Sequence, residues 1–226
     1  MNNPETLCGQ INKILDALPT LNRPSETPFN NGLYFFYERG EVSRHAPNGR
    51  IVRVGNHPRS QGSLKRRLRM HYSGSKNGSV FRKFLGGAIL RRMDPNSTCL
   101  QPRPGQGHWE KQDIHACEDC KPIERQVSQL LKSSFWFRCI EIEKRDLRNT
   151  LEKKLIATIS LCPTCKPSDN WLGKSAYSDK VRNSGLWNSD YVLDQQEALG
   201  SFELKKLEEI APQNISEPVQ IIEATP

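Results

Sequence analysis

Between residues 42 and 93 the chain has no aspartate and no glutamate, yet it carries thirteen lysines and arginines there. A stretch so one-sided excludes a cationic partner and calls for a polyanion. Long apolar runs are also missing: each is broken within a few residues, too soon to cross a bilayer. The N-terminus lacks the basic-then-apolar order of a secretory signal, since Glu5 and Asp16 stand in it. These absences argue for a cytoplasmic protein with no membrane association. Cysteines number only seven, an odd count without an export signal. Reduced thiols are expected, not a disulfide framework.

What is present suffices for a real core: 226 residues with 35% apolar content predict one domain with elaborations. The net charge of +8 is unevenly spread, because residues 202–226 are acidic and apolar. Positive potential is thus focused near the middle of the chain. Neutralising several phosphates there would release counterions, and binding would weaken steeply with salt.

Leu7, Ile11, Ile14, Leu15 and Leu18 recur at helical spacing up to Pro19, predicting an N-terminal amphipathic helix followed by a linker to residue 30. Residues 33–37 read as a buried strand and 50–54 as its partner. A basic helix over 63–72 carries Leu64, Leu68 and Tyr72 as its apolar stripe, with Arg67 and His71 along one edge. A second helix follows around Phe81, Phe84, Leu85 and Ala88. Residues 94–122, punctuated by Pro, Gly and Cys, read as an insertion. A helix over 123–132, a strand over 135–142 and a helix over 146–160 come next, the last with Glu152 at the margin of its apolar face. A late strand is predicted over 185–192 and a terminal helix over 202–210. The predicted fold class is α+β, a small mixed or antiparallel sheet flanked by helices. Its main part would span 31–173, with 174–226 as an extension packed on the core.

Gly32-Leu33-Tyr34 and, after it, Arg53-Val54-Gly55, then Arg67 and His71, then Glu152 and finally Asn170 form an ordered set. This arrangement resembles the GIY-YIG nuclease superfamily, and the Arg-x-x-x-His pair resembles its restriction-enzyme branch. Arg53 stands where a tyrosine is usual. The resemblance implies a divalent-metal-dependent endonuclease in which Tyr34, Arg53, Arg67, His71, Glu152 and Asn170 form the site. Glu152 would hold Mg²⁺ or Mn²⁺, Arg67 would present its planar fork to the phosphate, and Tyr34 would take a proton from water. Lys65, Arg66, Arg69, Lys76, Arg82 and Lys83 are the candidate DNA contacts. Double-stranded DNA is the expected partner and restriction or host defence the expected role, with a homodimer as a natural way to cut both strands.

Taken singly, each of these residues has a bland reading: Tyr34 as a core tyrosine, Arg67 and His71 as solvated helix positions, Glu152 as the partner of Arg148 one turn earlier. Their order in the chain is what favours a site. Cys117 and Cys120, with Cys162 and Cys165, make two Cys-x-x-Cys pairs whose bite suits structural Zn²⁺, against the alternative of four unrelated thiols. Trp109 in the insertion is a candidate base contact, whereas Trp136, Trp171 and Trp187 read as packing residues. A zinc-stapled nucleic-acid-binding protein with an inactive nuclease-like core is the competing functional class.

Overall fold

The unbroken apolar run over residues 33–37 forms the middle of the central strand β1 (Gly32–Glu38). In the computed structural model, which describes residues 3–57, 63–100, 109 and 120–211, β1 pairs antiparallel with β2 (Ile51–Gly55) on one edge and β3 (Phe135–Glu141) on the other. Successive side chains of a strand point to opposite faces. Tyr34 and Phe36 join a cluster with Leu64, Leu68, Phe81 and Val127. Leu33, Phe35 and Tyr37 join another with Leu7, Ile11, Leu151 and Leu155. A strand covered on both faces has no solvent side, so it needs no polar alternation.

Helices α2 (Leu64–Ser73), α3 (Val80–Met93) and α4 (Lys121–Ser134) supply the cover on the Tyr34 side. The other face is covered by α1 (Pro4–Asp16), α5 (Arg145–Leu161) and α7 (Ser201–Ile210). A short α6 (Asp179–Ser184) adds Val181 to the first cluster. Serine caps start the two basic helices: Ser63 Oγ accepts from Arg66 N–H and Ser79 Oγ from Arg82 N–H, each at 3.2 Å. The architecture is the α+β arrangement expected. No helix among the described residues is long and apolar enough to cross a membrane.

The strand expected over 185–192 does not form. This segment runs irregularly along the free edge of β2, where Trp187 N–H donates to Val52 O at 2.7 Å. The next pairing is made by a side chain. Asn188 Nδ2 donates to Val54 O at 2.9 Å, and Asn188 Oδ1 accepts from Val54 N–H at 3.1 Å. One amide thus substitutes for the donor and acceptor of a further strand residue, and the edge of the sheet is closed without a fourth strand. The backbone then turns away through left-handed conformations at Tyr191 (φ 61°) and Leu193 (φ 60°), which a regular strand would not allow.

Candidate active site

Tyr34 lies near the start of β1, directly across from Gly55 in the β1–β2 register. Glycine is required there by contact: a Cβ on Gly55 would collide with the phenol oxygen and ring of Tyr34. Gly32 is constrained in the same way, since its Cβ would meet the carbonyl oxygen of Ile140 on β3. The glycines of both short signatures therefore let the phenol cross the sheet edge and let the strands close up around it.

The phenol forms the floor of an open cavity of about 340 Å³. Arg53 from β2, Arg67 from α2 and Glu152 from α5 line its walls, together with Asn56 just after β2. Residues 188–191 complete the rim. Four of the sequence candidates, far apart in the chain, thus meet at one opening. Glu152 is half-buried, and Oε1 accepts from the Asn56 N–H at 3.0 Å. Burial raises the Glu152 pKa, opposed by Arg53, by the Asn56 hydrogen bond and by Arg67, and aided by Asp190. A partly sheltered carboxylate with a second carboxylate nearby is a donor set that suits a hard divalent cation.

Both arginines are anchored. Arg67 Nη1 donates to Gly78 O at 3.1 Å. Arg53 donates through Nη1 to Trp187 O, and its guanidinium lies 5.1 Å from the centroid of the Phe81 ring. Arg53 Nε is buried without a hydrogen-bond partner among the described residues. Two fixed cations therefore line the same cavity as Glu152.

His71 does not line the cavity; it stands behind Tyr34. It is fully buried, with Nε2 at 2.8 Å from Tyr34 Oη and Nδ1 at 2.7 Å from Ser79 Oγ. Burial lowers its pKa well below the usual range, reinforced by Arg67, Arg53 and Arg82. The imidazole is held neutral, so one ring nitrogen donates and the other accepts. When Nδ1–H faces Ser79, Nε2 is the acceptor for the phenolic proton.

Other expectations are corrected. Asn170 is exposed and outside this cavity; its carbonyl accepts from Arg92 at 3.3 Å. Its neighbour Trp171 is buried, with Nε1 donating at 3.0 Å to Glu38 Oε2, at the far end of β1 from Tyr34. The side chain that tethers the cavity rim is Asn188. Arg82 is not a surface cation: it is fully buried, paired with Glu124 Oε2 at 2.6 Å and donating to His71 O at 2.9 Å. Lys76 and Lys83 are half-buried, the former with its ammonium 5.8 Å from the Trp109 ring centroid, the latter with its carbonyl accepting from Trp109 Nε1 at 2.8 Å. Trp109 itself is buried and packs on α3, where a Cβ on Gly86 would strike its ring. It cannot meet a base in this position. Arg66 and Arg69 are exposed on α2, and Lys65 is half-buried.

Among the described residues the four-cysteine zinc clip does not assemble. Cys120 Sγ lies 3.2 Å from Cys99 Sγ, while Cys162 and Cys165 gather with Cys8. Cys117 and most of the insertion lie outside the described residues. Helix α1 brings the third thiol, which spacing between Cys-x-x-Cys pairs could not reveal. Asn56, Asn188 and Asp190 are the site residues that motif reading missed; the polar run 188–190 after Trp187 is the one signal the sequence offered.

No curated protein and no solved structure matches the chain significantly. A family model described as the GIY-YIG domain matches residues 8–214, well beyond the 30–173 stretch that carries the motifs. Signature glycines that fit a phenol, a helical arginine and a helical glutamate on one cavity, and a match over most of the length agree: the chain belongs to the GIY-YIG nuclease superfamily.

Proposed function

We propose that the protein is a divalent-metal-dependent endonuclease of the restriction or host-defence type that hydrolyses phosphodiester bonds in duplex DNA. The observation that carries this reading is the shared cavity of Tyr34, Arg53, Arg67 and Glu152. Arg67 and Arg53 stabilise charge on the nonbridging phosphate oxygens, with fixed donors in a partly desolvated site. Tyr34 accepts a proton from the attacking water while passing its own to Nε2 of neutral His71, and Ser79 holds the imidazole in register. Mg²⁺ or Mn²⁺ held by Glu152 would supply Lewis-acid polarisation of the phosphate and of the leaving oxygen.

A duplex extends past one cavity, and the surface offers a second basic hollow. It is about 670 Å³ and is lined by Arg23, Arg39, Arg69 and Lys132 beside Tyr72 and Trp136. Arg67 and Arg69 stand two positions apart on α2 and so face different ways, one to each hollow. Backbone phosphates flanking the cleaved one would meet the second set. One cavity performs one hydrolysis, so a homodimer would cut both strands.

Incubating plasmid DNA with Mg²⁺ and either the protein or its Glu152→Ala variant tests the proposal. We expect wild type to nick or linearise the plasmid and the variant to bind DNA without cutting. Equal nicking by both would mark the activity as contamination and leave a DNA-binding module without turnover.

A further inference from the structure

Three buried thiols outside the cavity converge from two distant parts of the chain. Cys8 lies on α1, Cys162 caps the C-terminus of α5, and Cys165 follows in the loop. Their sulfurs lie within 4.8 Å of one another, with Cys8 and Cys165 at 3.3 Å. Thiolates about 2.3 Å from a tetrahedral zinc place sulfurs about 3.8 Å apart. A triangle with no side longer than 4.8 Å is compatible with that spacing.

Its surroundings also suit thiolates. Thr164 Oγ1 lies 3.3 Å from Cys162 Sγ, Ser43 Oγ 3.4 Å from Cys165 Sγ, and Asn12 Nδ2 donates toward Cys8 Sγ at 3.5 Å. Hydroxyl and amide donors around sulfur are the outer contacts that orient metal-binding thiolates. An imidazole is at hand as well. His45 Nε2 is 2.7 Å from Thr164 Oγ1, and its ring packs against Gly9, where a Cβ would come within 3.3 Å of Nδ1. His45 thus adjoins both segments that bear the cysteines.

We infer that Cys8, Cys162 and Cys165 form a structural zinc site, completed by a side-chain rotation of His45, that fastens α1 to the C-terminal end of the helix bearing Glu152. The ion closes a link between residues 8 and 162 that apolar packing alone would leave to fray at the helix ends. It does not line the cavity, so its effect on cleavage is indirect.

Elemental analysis and thiol protection of the full chain decide the matter. We expect one equivalent of zinc in the purified protein, with Cys8, Cys162 and Cys165 alkylated only after chelation. Substituting cobalt should give the visible and near-ultraviolet bands of a tetrahedral cobalt thiolate. Cys8→Ser or Cys165→Ser should lose the metal, whereas Cys99→Ser and Cys120→Ser should retain it. His45→Ala should keep the thiolate-to-cobalt band, shift the visible bands and release zinc more readily to a competing chelator. Wild-type protein without zinc and with freely reactive thiols would overturn the inference, as would a Cys162–Cys165 disulfide by mass spectrometry or loss of zinc in Cys99→Ser and Cys120→Ser. Unshifted visible bands in His45→Ala would remove His45 from the ligand set.

Discussion

Tyr34 and His71 are joined at 2.8 Å, phenol oxygen to imidazole nitrogen, and only the tyrosine borders the cavity. On the proposed mechanism the histidine would act through the tyrosine, as a positioning and proton-accepting partner. We expect Tyr34→Phe to slow single-turnover cleavage by roughly 10²- to 10⁴-fold, the usual range for losing a proton-transfer group. His71→Ala should cost a similar amount, and the double variant should be within about tenfold of the worse single one, because both remove one relay. Multiplicative losses in the double variant, with thermal stability unchanged, would show that the two act separately.

Glu38 gives the fold a pH dependence of its own. It is buried at the end of β1, where Oε2 accepts from Trp171 Nε1 at 3.0 Å and from Trp187 Nε1 at 3.2 Å. Burial pushes its pKa up to about 7, against the pull of the two indole donors. The folded protein then holds a proton that the unfolded chain releases near pH 4.5. Stability from this group is present below that pH and is lost as pH rises through about 7, on the order of 3 kcal/mol in all. His71 works oppositely: held neutral, it favours unfolding only as pH falls below about 6.5, where the unfolded imidazole takes up a proton. Denaturant midpoints of Glu38→Gln measured from pH 5 to 8 should lack the alkaline decline of wild type. A parallel decline in both proteins would remove Glu38 as its source.

Most elements, and four of the six site candidates at the cavity, were legible because they rest on local rules. Residues 33–37 announce a buried strand, and Tyr34, Arg67 and Glu152 sit on periodic elements whose direction follows from spacing. Three errors share a different cause. Asn170, the 185–192 strand and the cysteine quartet each depended on which distant segment would lie beside which. Trp171 was taken up by Glu38, an asparagine side chain replaced a backbone pairing, and α1 delivered Cys8 from the other end of the chain. Composition carries no register for contacts of that kind.

The two asparagines separate cleanly by experiment. Asn188 satisfies both the N–H and the C=O of Val54, and it ties the cavity rim to the strand that bears Arg53. Asn188→Ala leaves two backbone groups unpaired, and we expect a loss of about 1–3 kcal/mol in unfolding free energy together with a marked fall in cleavage rate. Asn170→Ala removes an exposed side chain whose backbone carbonyl makes the contact to Arg92, and it should change neither. Chemical denaturation and plasmid cleavage on both variants check this; a silent Asn188→Ala with a crippled Asn170→Ala would reverse the assignment.

The basic residues divide in the same manner between surface and interior. Arg66 and Arg69 are exposed on α2, so replacing either with alanine should weaken DNA binding and reduce the slope of log affinity against log salt by about one, with stability within ~0.5 kcal/mol of wild type. Arg82 is buried between Glu124, Ser128 and the carbonyl of His71. Arg82→Ala would strand Glu124 and loosen the turn that sets Ser79 against His71, costing about 3–5 kcal/mol by the usual penalty for breaking a buried pair. Fluorescence anisotropy with a short duplex across a salt series, paired with thermal unfolding, distinguishes the two classes. Arg82 would be a phosphate contact after all if its alanine variant stayed fully stable while the salt slope dropped.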